Sequence, residues 1–227
     1  MESALIVGAG SGLSGSLARL LAAEGWRVAL AARNTEKLAA LRTPAIRCDA
    51  TDARQVEEMF AVFEKQFGIP DLVVYNASFR TRGPLVDLNA EEVRKSIDVS
   101  AFGGFLVAQA AAKRMLPRGK GAIFFTGASA SVKGYAQSAP FAMGKFALRG
   151  LAQSLARELA PKNIHVAHFV IDGGIRKDAR SDVRPGGPGE DALLEPDEIA
   201  RSYLNVYRQH RSAWSWELEL RPWTEKF

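Results

Sequence analysis

A chain of 227 residues with 47% hydrophobic content can bury a full core, and one α/β domain spanning 1–227 accounts for it. No apolar run reaches the ~20 residues that cross a bilayer, so no membrane partner is expected. The net charge of +5 comes from 30 basic and 25 acidic residues interleaved along the chain, without a basic helix or an aromatic-basic platform; this argues for a solvated surface and against nucleic acid. The N-terminal MESALIVGAG has no basic leader and enters a strand directly, so no signal peptide is expected. The single cysteine, Cys48, has no partner for an internal disulfide, which suits a reducing cytoplasm.

The expected elements alternate strand and helix. ALIVG (4–8) is a short apolar strand, followed by a helix through LSGSLARLLAAEG that Gly25 stops. RVALAAR (27–33) is the second strand, and NTEKLAAL a short helix with Asn34 as its N-cap. AIRCD (45–49) is the third strand. The next helix carries Val56, Met59, Phe60, Phe63 and Phe67 on one stripe. DLVVYNA (71–77) is the fourth strand, a long helix spans 90–116, and GAIFFTG (121–127) is the fifth strand. A helix over 140–160 has Pro140 in its first turn, and IHVAHFVI (164–171) is the sixth strand. SDVRPGGPGEDALLEP (181–196) breaks the rhythm and reads as a mobile flap over the carboxyl ends of the strands. A helix from 196 to about 209 precedes WSWELEL (214–220), which alternates like a last strand. Strands of Val, Ile, Leu and Ala without polar alternation are buried on both faces. With crossover helices they predict a Rossmann-type, doubly wound, seven-stranded and mostly parallel sheet.

GAGSGLSG separates the first strand from its helix. Gly10, Gly12 and Gly15 give a literal G-x-G-x-x-G, with Gly8 ending the strand and Leu13 opening the helix. Glycines let the backbone approach a pyrophosphate, and free N–H groups with the helix dipole favour the anion. The plainer alternative is a glycine-rich turn. At the end of the second strand an NAD site would carry Asp or Glu; this chain has Arg33. A guanidinium suits a 2′-phosphate, which favours NADP(H) over NAD(H), against the alternative of a surface arginine.

SAPFAMGK (138–145) holds an anomaly. Leu148, Ala152, Leu155 and Leu159 define an apolar helix face, and the same spacing reaches back to Lys145 and Phe141. Arg149, Gln153 and Arg157 occupy the wet face. Lys145 therefore either snorkels out or works inside a pocket.

Over nearly its whole length the chain resembles the short-chain dehydrogenase/reductase superfamily. The turn Gly8, Ala9, Gly10, Ser11, Gly12, Leu13, Ser14 is similar to the family's T-G-x-x-x-G-x-G, with Val7 for Thr and Ser14 for the last Gly. CDATD (48–52) is similar to the adenine-contacting stretch, implying that role for Asp49 with Ala50 beside it. YNAS (75–78) is similar to N-N-A-G, implying that Asn76 and Ala77 line the adenosine ribose. The resemblance implies an Asn-Ser-Tyr-Lys tetrad, in which Lys145 falls on the lysine. Phe141, Ala128 and Ser100 then occupy the Tyr, Ser and Asn positions.

Phe has no proton to give, and a missing general acid typically slows a reaction by about 10²- to 10⁴-fold. The substitute donors are Ser129, Tyr135 and Asp172, with His168 weaker; Asp172 and Gly173 stand roughly where the family has Pro-Gly, and Gly173 is grouped with the cofactor residues. Each donor has a plainer alternative: a turn cap, packing, an Asx-turn with Gly173, and a satisfied core histidine. Ribose hydroxyls of a bound cofactor would satisfy the three donors of Lys145, which favours the pocket. The resemblance implies hydride transfer between NADP(H) and the carbonyl or alcohol of a small-molecule substrate, or else cofactor binding without turnover, as a sensor or scaffold. Small residues along 90–116, with the family resemblance, imply a homodimer or homotetramer built on that helix and on 140–160, against the plainer alternative of close packing on the sheet alone. Arg176, Lys177, Arg180 and Arg184 in and beside the flap either meet an anionic substrate or keep it soluble.

Overall fold

The computed structural model describes residues 1–176 and 192–225. Strand β1 (Ser3–Val7) leads through the glycine turn to helix α1 (Leu13–Ala23), then β2 (Arg27–Ala32), β3 (Ala45–Arg47), α2 (Ala53–Phe67) and β4 (Leu72–Tyr75). Helices α3 (Ala90–Ile97) and α4 (Gly103–Arg118) lead to β5 (Gly121–Thr126), α5 (Ala139–Leu159) and β6 (Ile164–Ile171). Short strands β7 (Gly174–Ile175) and β8 (Leu193–Leu194) pair with each other, and α6 (Pro196–Tyr207) precedes β9 (Glu217–Leu220). The main sheet has seven strands in the order β3-β2-β1-β4-β5-β6-β9, and every pairing in it is parallel.

Two apolar layers cover the sheet, because alternate side chains of a strand point to opposite faces. Leu5 and Val7 join the layer under α2, α4 and α5, whereas Ala4 and Ile6 join the layer under α1 and α6. The stripe predicted for α2 is real: Val56, Met59, Phe60 and Phe63 are buried, and Phe67 packs against them. Asp52 caps that helix by accepting from the N–H groups of Arg54 and Gln55, and Asn89 caps α3 in the same way.

Three predicted elements differ in detail. NTEKLAAL forms a 3₁₀ turn over Glu36–Leu41, with Asn34 Oδ1 accepting from the Glu36 N–H. The last strand is shorter than its alternating pattern, because Trp214 leaves the sheet and stacks on His165 at 4.5 Å between ring centroids. The long helix over 90–116 is broken by a π-helical stretch at Asp98–Phe102. The hydroxyl of Tyr75 donates to the Val99 carbonyl at this break, and buried Ser100 lies within it. The small residues there serve packing within the chain. A Cβ at Gly103 would fall 2.4 Å from Tyr75 Oη, one at Gly104 2.7 Å from Leu148, and one at Gly144 2.8 Å from Ser100 Cβ. Most of the predicted flap, with Lys177, Arg180 and Arg184, lies outside the described residues. Arg176 is ion-paired with Glu195. Among the described residues no helix is long and apolar enough to cross a membrane.

Candidate active site

The strand order reverses at β1, which has β2 on one side and β4 on the other. Crossovers then leave in opposite directions and open a crevice at the carboxyl ends of the strands. Gly8 makes the crevice possible. Its φ is +81°, and a Cβ would lie 2.2 Å from the Ala77 nitrogen, so glycine is required on both counts. Gly10 and Gly12 differ: a Cβ at either would meet nothing within 4 Å, which leaves the backbone open to an approaching group. Gly12 caps α1 without a side-chain hydrogen bond, so the first-turn N–H groups of Leu13, Ser14 and Gly15 face that opening without a cap. Ser11 is exposed in the same turn. Such a turn fits a pyrophosphate.

A cavity of about 340 Å³ continues from the turn across the ends of β1, β2 and β4. It gathers Gly8, Arg33, Asp49, Ala50, Asn76 and Ala77, residues scattered over 70 positions of sequence. Asp49 Oδ1 accepts from the Thr51 N–H at 3.0 Å and from Thr51 Oγ1 at 2.8 Å, and Asp49 N donates to Gln55 Oε1 at 3.0 Å. Asn76 Nδ2 donates to Ser14 Oγ at 2.7 Å and ties the glycine turn to β4. Arg33 is exposed at the rim, and Lys37, which sequence reasoning did not single out, lines the same cavity. Lys37 carried no signal because a lone lysine on a short polar helix looks like solvated surface. Cys48 also lines the cavity, but burial pushes its thiol up to about 12, which makes it a poor nucleophile.

At the other end of the crevice, α5 brings Lys145 under β5. The residue is 3% exposed, and its ammonium donates to the Thr126 carbonyl at 2.8 Å. The fold excludes the snorkelling position, because the side chain is buried. Desolvation lowers the lysine to about 8, and no carboxylate offsets that burial. Phe141, one turn earlier, is 8% exposed, with its ring centroid 5.8 Å from Lys145 Nζ. Buried Ser100 Oγ, in the break before α4, has no hydrogen-bond partner among the described residues, and its side chain lies against Gly144 of α5.

The three expected donors lie on the two segments leaving β5 and β6. Ala128 is extended, and its N–H donates to Ser131 Oγ at 3.1 Å. Ser129 is half-buried and opens a single 3₁₀ turn, its carbonyl accepting from the N–H groups of Val132 and Lys133. Asp172 makes an ion pair with Lys133 at 2.8 Å, so it is held as a buried carboxylate rather than in the Asx-turn with Gly173. Gly173 follows it at φ +151°, close to Pro222 and Leu194. Tyr135 is 46% exposed in the loop before α5.

His168 is not a simply satisfied core histidine. Its Nδ1 lies 3.1 Å from Glu217 Oε2, and Glu217 makes a two-point contact with Arg149 at 2.6 and 2.8 Å. Its Nε2 has no partner among the described residues, and a Cβ at Gly127 would fall 2.4 Å from it. No local pattern announces this triad, because Glu217 is 49 positions from His168.

The sheet order, the open glycine turn and the crevice define a dinucleotide-binding α/β protein. The sequence pattern of the short chain dehydrogenases matches residues 2–186, and the chain belongs to that family of oxidoreductases. It is 31% identical over 177 residues to the 3-oxoacyl-[acyl-carrier-protein] reductase MabA of Mycobacterium tuberculosis, covering 78% of this chain and 70% of that one. A short-chain dehydrogenase from Rhodopseudomonas palustris superposes with a TM-score of 0.81 at 33% identity, covering 97% of this chain and 99% of that one. An alcohol dehydrogenase from Thermococcus sibiricus, complexed with 5-hydroxy-NADP, gives a TM-score of 0.86 at 26% identity, with coverage of 100% and 98%.

Burial lowers His168 from 6.5 to about 4 in the folded protein. The unfolded chain therefore takes up the proton first as pH falls, and stability drops progressively between pH 6.5 and about 4. A shift of this size corresponds to roughly 3 kcal/mol. Urea titrations across that range are expected to show the loss, and His168→Gln to flatten it; an unchanged slope in the variant would assign the pH dependence elsewhere. Glu217, held low by Arg149 after its own desolvation is overcome, adds a further loss at lower pH.

Proposed function

We propose that this protein is an NADP(H)-dependent oxidoreductase that transfers hydride between the cofactor and the carbonyl or alcohol of a small molecule. Lys145 is the observation that carries this reading. The ammonium of a lysine that is 3% exposed, with a single carbonyl partner among the described residues, has donors left over for two ribose hydroxyls. Gly8, Gly10, Ser11, Gly12 and Leu13 would hold the pyrophosphate, Asp49 and Ala50 the adenine, and Asn76 and Ala77 the adenosine ribose. Gly173 would close the nicotinamide end. Arg33, aided by Lys37, would take the 2′-phosphate, since both line the cavity and neither is ion-paired to a carboxylate among the described residues. Bound there, NADP(H) supplies or accepts a hydride at its nicotinamide.

The chain's own residues must handle the proton. Phe141 and Ala128 stand in for the family's tyrosine and serine, and Ser100 for its asparagine. With Asp172 engaged by Lys133, the hydroxyls of Ser129 and Tyr135 remain as donors on the segment between β5 and α5. Phe141 itself favours a second reading, a cofactor-binding sensor or scaffold without turnover, because an apolar ring occupies the place of the general acid. The protein is further proposed to work as a homodimer or homotetramer in the cytoplasm. Phe102, at the break before α4, stacks at 6.1 Å on Phe105 in the first turn of α4, both exposed, and Met143 and Phe146 are exposed on the adjoining α5.

Fluorescence titration is expected to show NADPH binding at least ~10-fold tighter than NADH, with Arg33→Asp abolishing the difference. Equal competition by 2′,5′-ADP and 5′-AMP would remove Arg33 from the site. Phe141→Tyr combined with Ala128→Ser is expected to raise carbonyl reduction on a broad panel by about 10²-fold or more; tight NADPH binding without any gain would favour the silent binder. Light scattering should find an oligomer that Phe105→Glu dissociates, and a wild-type monomer would refute that assembly.

A further inference from the structure

The segment between β4 and α3 carries two arginines, Arg80 and Arg82. Arg80 Cζ stands 4.8 Å from the centroid of the Phe141 ring, the same ring that lies beside the Lys145 ammonium. This placement is built rather than incidental. Ser96, fully buried on α3, has its Oγ 2.9 Å from the Phe79 carbonyl and 3.2 Å from the Pro140 carbonyl. One hydroxyl thus grips the residue before Arg80 and the residue before Phe141. Lys95 covers the Phe79 ring at 4.6 Å, and the Gly83 N–H donates to the Gln137 carbonyl at 3.0 Å, which pins the same segment to the start of α5.

A guanidinium lying over a ring face keeps its in-plane N–H donors free. Arg80 has no ion pair or hydrogen bond among the described residues, and neither does Arg82. The acid that meets this segment is engaged by its neighbour: Glu92 accepts from Thr81 Oγ1 at 2.7 Å. Desolvation and the charge of Arg82 both press against the protonated state of Arg80, so a ligand anion would relieve two penalties at once. A phenyl ring at position 141 offers the apolar face on which this cation rests.

We infer that Arg80, seated on Phe141 and seconded by Arg82, receives an oxyanion group on the substrate, so that this site takes small carbonyl or alcohol compounds bearing a carboxylate or phosphate. The inference rests on the proposed oxidoreductase site and adds its substrate class. A charged headgroup over Phe141 places the rest of a short molecule beside Lys145. Planar two-point contact fits both kinds of oxyanion.

The test uses matched pairs on protein saturated with NADPH, whose own fluorescence first confirms that the cofactor is bound. The probes are 4-oxopentanoate against its methyl ester, and glyceraldehyde 3-phosphate against glyceraldehyde. Calorimetric binding and reduction rates are both recorded. At least one charged member is expected to bind tenfold or more tightly than its neutral partner, and the identity of that pair separates carboxylate from phosphate recognition. Arg80→Gln should erase most of the preference while leaving NADPH affinity and neutral-ligand binding unchanged, with Arg82→Gln having a smaller effect. No charge preference on NADPH-loaded protein, or a preference that survives the Arg80→Gln, Arg82→Gln double variant, would overturn the inference. Failure to bind NADPH would instead overturn the cofactor assignment.

Discussion

The close approach of β1 and β4 governs everything above the sheet. At position 8 the backbone turns with positive φ against the Ala77 backbone, and any side chain there would collide with the neighbouring strand. That contact lets the glycine turn fold back over the strand ends, and it brings Asn76 within reach of Ser14. Residues at and just beyond the ends of β1, β2, β3 and β4 then share one cavity, with α1 presenting an uncapped end toward it. An enzyme-like crevice follows from the strand order alone; its occupant is decided by the side chains that the order collects.

Charge is distributed unevenly along this crevice. At one end Asp49 is held by Thr51, while Arg33 and Lys37 stand at the rim. At the other end Lys145, Arg80 and Arg82 have no carboxylate partners among the described residues. Burying an ammonium in this way lowers its affinity for the proton and works against the folded state. Such an arrangement fits a site whose ligands bring the missing negative charge and hydroxyl groups. The Arg149, Glu217 and His168 cluster beneath it is the contrasting case, satisfied internally except at Nε2.

Much of the fold was legible because it depends on local patterns. Uniform apolar runs marked both-face-buried strands, and the Val56 to Phe67 stripe marked α2. The cradle was equally legible, since each of its parts follows directly on a strand. The break at Asp98–Phe102 was not legible: it accompanies the hydroxyl of Tyr75, which is 24 residues away from Val99 in the chain. Gly103 and Gly104 read from sequence as an approach surface for another helix, with packing inside the chain as the alternative, and each meets a neighbour within the same chain. Small residues signal close approach without saying to what.

The sequence by itself determined the order of strands and helices, the glycine turn, and the pairing of Phe141 with Lys145 one helical turn apart. It could do so because those features depend on neighbours within a few residues, where periodicity and turn chemistry act. Only the tertiary structure decided that Lys145 is buried rather than snorkelling, that Asp172 is engaged by Lys133, and that Arg80 rests on the Phe141 ring. Those outcomes depend on which side chains meet across distant parts of the chain. Desolvation and pairing arise only after the sheet has brought them together.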